Sequence, residues 1–203
     1  MYLMKDITRD GNPILRQQSE TVPYPLSAED RKLGQKMMQY LEISQDPEQC
    51  EKYQLRAGVG LAAPQVGVGK LMAAVLTPPD EDDPEQISPF KAIMVNPVIV
   101  SSSVQQAALT VGEGCLSVDK EFPGYVPRSD RITVHYQDLD GAEHQVRLKH
   151  YPAIIVQHEI DHLHGTLFYD HIDKNQPSAG IEAKFLSIRA IKSAISNKDV
   201  IPN

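Results

Sequence analysis

The chain has 203 residues and carries 27 acidic against 20 basic side chains, a net charge of −7. The acids crowd into Asp80-Glu81-Asp82-Asp83-Pro84-Glu85, a balance that argues against a broad phosphate-binding surface and so against nucleic acid as a partner. Hydrophobic residues make up 41% of the chain and no apolar run is long enough to span a bilayer, so a soluble globular protein able to bury a dry active site is expected, with no membrane role.

The opening Met1-Tyr2-Leu3-Met4-Lys5-Asp6 lacks the apolar stretch of a secretory signal and soon meets Arg9 and Asp10, which predicts a cytoplasmic protein. In that compartment Cys50 and Cys115 are expected as reduced thiols. Ser27-Ala28-Glu29-Asp30 resembles a capping box, and Leu33, Met37, Tyr40 and Leu41 follow at helical spacing, so a helix is predicted over about 28–44. Asp46-Pro47 reads as a second helix start. A glycine- and alanine-rich loop from Gly58 precedes an apolar strand, Lys70 to Leu76, and the polar, proline-rich stretch at about 77–90 reads as a surface insertion before a second apolar run, Ala92 to Val95. Arg131 to Tyr136 and Glu143 to Leu148 alternate as strands, joined by the turn chemistry of Asp138-Leu139-Asp140-Gly141. Two helices are predicted to close the chain: Tyr151 to His164, and an amphipathic one with Ile181, Phe185, Ile188, Ile191 and Ile195 on one side. Strands flanked by helices without regular alternation predict one α+β domain over 1–203, with curved antiparallel sheets packed around the helix that begins at Tyr151.

That helix carries His158-Glu159-Ile160-Asp161-His162, an H-E-x-x-H motif set in an apolar helical run. Positions i and i+4 lie one turn apart on one face, so both imidazoles can meet a single ion while Glu159 reaches the water beside it. A catalytic site of this kind needs a third protein ligand. The extended metzincin pattern fails, because Phe168 stands where its third histidine belongs. Two candidates remain, Glu182 further along the chain and Cys115 in Glu113-Gly114-Cys115-Leu116-Ser117. Gly58-x-Gly60-x-x-Ala63 has the spacing of a dinucleotide fingerprint. It lacks the context, since Glu51 to Arg56 is a poor strand and Pro64 falls where the phosphate-binding helix would run. Tyr151, Ile154, Ile155 and His158 share a helix face that would suit a methionine side chain. His135, His144, His150, His164 and His171 match no ligand spacing and are expected to face solvent or bond locally.

Gly58-Val59-Gly60-Leu61-Ala62-Ala63-Pro64-Gln65, the Glu113 to Ser117 segment and Gln157 to His162 together resemble the three motifs of peptide deformylases, in the family's order. The insertion is similar to that of the longer, Gram-positive bacterial enzymes. The resemblance implies removal of the formyl group from the N-terminal formylmethionine of newly synthesised proteins, releasing formate. It implies Cys115, His158 and His162 as ligands of Fe2+, with Zn2+ or Ni2+ able to substitute. It makes Glu159 the general base and then acid, and it supplies oxyanion donors from the Gln65 side-chain amide and the Leu116 N–H. Val59 and Gly60 would lend backbone groups to an extended peptide, and Arg128, after Pro127, would support the cysteine loop by pairing with Glu113. Nascent N-formylmethionyl peptides are the implied partners, with room for a transient association with the ribosome. Two rivals stay open: a zinc endopeptidase using His158, His162 and Glu182, and a metal-binding domain without turnover.

Overall fold

A computed structural model describes residues 1–79, 90–175, 177 and 183–186. Helix α1 (Ala28–Gln45) starts where expected. The Ser27 side chain accepts from the Asp30 N–H, and Glu29 and Asp30 place negative charge at the positive end of the helix. Asp46 ends α1 and caps α2 (Pro47–Lys52), its side chain accepting from the Gln49 N–H with Pro47 in the first turn.

Five strands form one antiparallel sheet in the order β1 (Gly60–Ala62), β2 (Met72–Thr77), β3 (Phe90–Ser102), β6 (Arg131–Gln137), β7 (Glu143–Lys149). Side chains of a strand point alternately to its two faces. On β2, Met72 and Ala74 join the core that Leu33, Met37, Tyr40 and Leu41 of α1 build, whereas Ala73 and Val75 pack with Ala153, Val156, Ile160 and Leu163 of α3 (His150–Leu163). The sheet is thus covered on both faces, which is why β2 reads as an unbroken apolar run. Each fully buried Val, Leu, Ile or Met side chain here contributes about 1.5–3 kcal/mol, and each alanine methyl about 0.8 kcal/mol.

β3 is longer than the Ala92 to Val95 run suggested. Pro97 has no N–H to give the ladder, and the register with β6 shifts between Val95 and Val98. There the Asn96 amide binds the Val22 backbone through both of its ends, at 2.8 and 2.9 Å. The β6–β7 hairpin turns as predicted: Asp138 Oδ1 accepts from the Asp140 and Ala142 N–H groups, and Gly141 takes φ +83°.

A second, three-stranded sheet runs β5 (Arg128–Ser129), β4 (Gln106–Leu109), β8 (Ala183–Leu186), with β4 and β8 parallel. It corrects two expectations. The sheets are not wholly antiparallel, and residues 183–186 form a strand rather than the first turns of a helix, because the backbone beside Phe185 completes the edge of β4 while its ring meets Tyr125 at 4.7 Å. Ile181, Glu182, Ile188, Ile191 and Ile195 lie outside the described residues, as does the acidic part of the 77–90 stretch beyond Pro79. Helix α3 is held between the two sheets, with Ile154 packed on Ala107 and Leu109. Among the described residues no helix is long and apolar enough to cross a membrane.

Candidate metal centre and active site

A helix buried on nearly every side can be apolar all round, and α3 departs from that after its first turn only at Gln157, His158, Glu159, Asp161 and His162. His158, Glu159 and His162 are each buried within it. The loop after β4 brings Cys115 against the two imidazoles, so that one ligand atom from each of Cys115, His158 and His162 lies within 4.8 Å of the others. Cys115 Sγ is 3.3 Å from His162 Nε2. One thiol and two imidazoles at this spacing suit a divalent transition ion.

The electrostatics fit a cation. Glu113 Oε2 meets His158 Nδ1 at 2.8 Å, which aims the other ring nitrogen away from the carboxylate as carboxylate–histidine–metal triads do. Burial works against a charged His158, yet the Cys115 thiol and Glu113 carboxylate outweigh it and push its pKa well up: the group beside them is drawn toward positive charge. His162 goes the other way, burial and its neighbour His158 holding it neutral, the form that binds metal. Its Nδ1 is buried with no hydrogen-bond partner among the described residues.

Arg128, almost wholly buried, grips Glu113 with a fork, Nε to Oε1 at 2.8 Å and Nη2 to Oε2 at 3.0 Å. It also pairs with Asp161, which bonds His171 at 2.7 Å. Burial alone would raise the Glu113 pKa, but Arg128 and His158 bring it down to about 2, so the carboxylate stays ionised.

The Glu159 side chain lies against Gly60 of β1. Its Oε2 is buried with no partner among the described residues. Burial pushes its pKa up to about 7, where a carboxyl can both take and return a proton at neutral pH. The carboxylate has room only because Gly60 has no side chain: a Cβ there would sit 2.1 Å from Glu159 Oε1 and 2.5 Å from its Cδ.

Gln65 is buried in the 3-10 turn Ala63–Val66, where its Oε1 accepts from the Ala62 N–H at 2.8 Å. That bond turns its Nε2 toward Cys115 Sγ, 3.4 Å away, and Ser117 Oγ, 3.3 Å away. The Leu116 N–H has no hydrogen-bond partner among the described residues.

Gly60, Gln65, Glu113, Cys115, Leu116, His158 and Glu159 line a cavity of about 290 Å³ together with Val59, Leu109, Val111, Tyr151 and Ile155, while His162 lies behind its wall. β1 is the edge strand of its sheet here, and the Val59 carbonyl is already committed to the Leu76 N–H at 2.8 Å. Tyr151, Ile155 and His158 form the predicted helix face. Ile154 does not join it: one residue off that stripe, it faces the second sheet and is fully buried in the core. Sequence reasoning missed Leu109 and Val111 on the cavity wall and Asp161 behind Arg128. Asp161 did leave a signal, an acid inside an apolar helix, whereas Leu109 and Val111 left none. Of the remaining histidines, His144 bonds Asp138 and His164 bonds the Ile160 carbonyl, both local as expected, whereas His150 bonds Asp130, 20 residues away.

The sequence profile of the polypeptide deformylase family matches residues 4–178. A peptide deformylase of Limosilactobacillus reuteri is 70% identical over 177 residues, 87% of this chain and 94% of the relative. One of Latilactobacillus sakei subsp. sakei is 62% identical over 180 residues, 88% of this chain and 95% of the relative. Among solved structures, the Met-Ala-Ser-bound class I type b peptide deformylase of Acinetobacter baumannii is 32% identical, with a TM-score of 0.65 over 82% of this chain and 96% of that one. The Thermotoga maritima peptide deformylase is 30% identical, with a TM-score of 0.62 over 82% of this chain and 96% of that one. Identity of this degree over nearly the whole length of the relatives settles the kinship that the buried thiol, imidazoles and carboxylate suggested, and the chain belongs to the polypeptide deformylase family.

Proposed function

We propose that this chain hydrolyses the formyl group from the N-terminal formylmethionine of newly synthesised proteins and releases formate. The observation that carries the reading is the meeting of the Cys115–His158–His162 trio, two of whose members line the cavity, with a buried carboxylate on the same wall that has an oxygen to spare. Cys115, His158 and His162 would hold a divalent ion, ferrous iron in the cell, with zinc or nickel able to replace it. Bound there, such an ion supplies a Lewis acid that eases deprotonation of water and polarises a carbonyl.

The chain's own residues do the rest. Glu159 takes the proton of the attacking water, and the Gln65 amide and the Leu116 N–H donate to the oxygen of the formyl group as it gains charge. Glu159 then returns the proton to the leaving amine. Tyr151 and Ile155 offer the methionine side chain an apolar wall, and the free edge of β1 at Val59 and Gly60 can receive an extended peptide as an added strand. Glu113 and Arg128 hold His158 in place from behind. The nascent substrate implies a cytoplasmic enzyme in transient contact with the ribosome, working as one catalytic domain over 1–203 with its insertion at about 77–90.

The test is formate release from formyl-Met-Ala-Ser by protein purified without oxygen and analysed for metal. Cleavage at internal peptide bonds would favour an endopeptidase, and bound metal without turnover a silent binding domain. Cys115→Ala should lose tightly bound metal, since two imidazoles alone hold an ion weakly, whereas Glu182→Ala should keep both metal and activity. The reverse pattern would make the carboxylate the third ligand and refute the reading.

A further inference from the structure

The Leu116 N–H and the Cys115 carbonyl are the two ends of one peptide group. Its carbonyl end accepts from Arg56 Nη2 at 3.2 Å and from the Val118 N–H at 3.3 Å, while its N–H end has no partner among the described residues. Arg56 and Leu116 both line the cavity. Arg56 is steadied by Asp119, Nη1 to Oδ1 at 3.1 Å, and the same oxygen takes Arg9 Nη1 at 3.0 Å. Arg9 in turn donates to the Leu116 carbonyl at 2.7 Å. Two arginines sharing one carboxylate therefore hold two successive peptide groups of the loop. The group that Arg56 holds ends in the Leu116 N–H, and the one that Arg9 holds ends in the Ser117 N–H.

A cationic donor on an amide oxygen draws electron density from the nitrogen, so the N–H at the far end becomes a stronger donor, and the peptide plane is held in one orientation. Pre-set donors of this kind act where charge develops in the transition state. We propose that Arg56 is a positioning residue for deformylation, orienting and polarising the Cys115–Leu116 peptide so that the Leu116 N–H donates more strongly to the developing oxyanion. The inference rests on the reading of that N–H as an oxyanion donor. A loop merely stapled from outside would respond alike to loss of either arginine, since both share Asp119; the polarised peptide responds to Arg56 alone.

The experiment compares full-length, zinc-loaded wild type, Arg56→Met and Arg9→Met by steady-state kinetics on formyl-Met-Ala-Ser and by amide nitrogen and proton resonances, zinc being diamagnetic. Arg56→Met should lower kcat by about 3- to 10-fold, a fraction of the 10²–10³ that loss of a whole oxyanion donor costs, with KM within about twofold and zinc retained. Its Leu116 amide nitrogen should move upfield while that of Ser117 stays. Arg9→Met should do the reverse in the spectrum and keep kcat within about twofold of wild type. Arg56→Lys, which keeps one cationic donor, should recover part of the rate and of the shift, and it serves as the second variant should Arg56→Met lose zinc. Wild-type kcat in Arg56→Met, or equal losses in both arginine variants without a selective Leu116 shift, would overturn the proposal. Formate titrated into the wild type separates the two levels. The Leu116 amide proton should move downfield as it finds an acceptor, and if it does not, the oxyanion reading fails beneath the inference, whatever Arg56 does.

Discussion

Gly60→Ala is the smallest change that should separate the metal site from the proton-transfer site. The added Cβ would stand 2.1, 2.5 and 2.7 Å from Oε1, Cδ and Cγ of Glu159, where ordinary contact begins at 3.4 Å. Rotating the carboxylate tip cannot relieve all three contacts, because Cγ is among them, so the whole side chain must retreat by roughly 1 Å. Displacement of a reacting group on that scale costs about 10²-fold in rate, or about 2.7 kcal/mol of transition-state stabilisation. The three atoms that the Cβ would meet first all belong to Glu159, and Gly60 is not among the glycines of positive φ, so neither metal binding nor backbone strain should enter. Formate release from formyl-Met-Ala-Ser gives kcat/KM, elemental analysis gives metal content, and thermal unfolding checks the fold. A variant that folds, keeps its metal and stays within about twofold of wild-type kcat/KM would show that Glu159 need not occupy the space against Gly60, and the assignment of the base would fall with it.

Glu159→Gln should bind metal as the wild type does and lose about 10²–10⁴ in kcat, because an amide cannot carry the proton; metal and activity both near wild type would remove Glu159 from the mechanism. Arg128→Met leaves the Glu113 and Asp161 carboxylates without their buried cation and should cost about 3–5 kcal/mol in denaturant unfolding, with weaker metal retention, whereas a loss under about 1 kcal/mol would mean that the network carries little. Asp30 is buried at the start of α1. Burial raises its pKa, but the hydrogen bonds from Lys70 and Ser27 outweigh this and leave it lowered. A carboxyl whose folded pKa is depressed stabilises the fold above its unfolded value near 3.9, and that contribution fades as pH falls through the folded value. Asp30→Asn should therefore be less stable than wild type at pH 7, with the gap closing below about pH 4; a gap independent of pH would contradict the ionic role.

What the sequence by itself determined is what neighbours along the chain decide. A capping serine three residues before an acid started α1, Asp-Pro started α2, and Asp-x-Asp-Gly turned the β6–β7 hairpin, each through bonds closed within a few residues. The spacing of His158 and His162 set two imidazoles one turn apart because helix geometry leaves no other arrangement. Tertiary structure decided everything that joins distant segments. Spacing left Cys115 and its rival Glu182 both open; the fold brings the thiol to His162 across a separation of 47 residues, and Glu182 lies outside the described residues. The Glu113–Arg128–Asp161 chain needed a loop, a short strand and the metal helix to meet, and only the contact of β1 with α3 explains why residue 60 has no side chain. Ile154 shares its helix with the cavity wall, yet a sheet that it could not foresee claimed it for the core. Phe185 shows the limit most plainly: its spacing from Ile181 fits a helix, but the free edge of β4, where its partner Ala108 lies 77 residues earlier in the chain, offers hydrogen bonds that local periodicity does not record, and the backbone takes them as a strand.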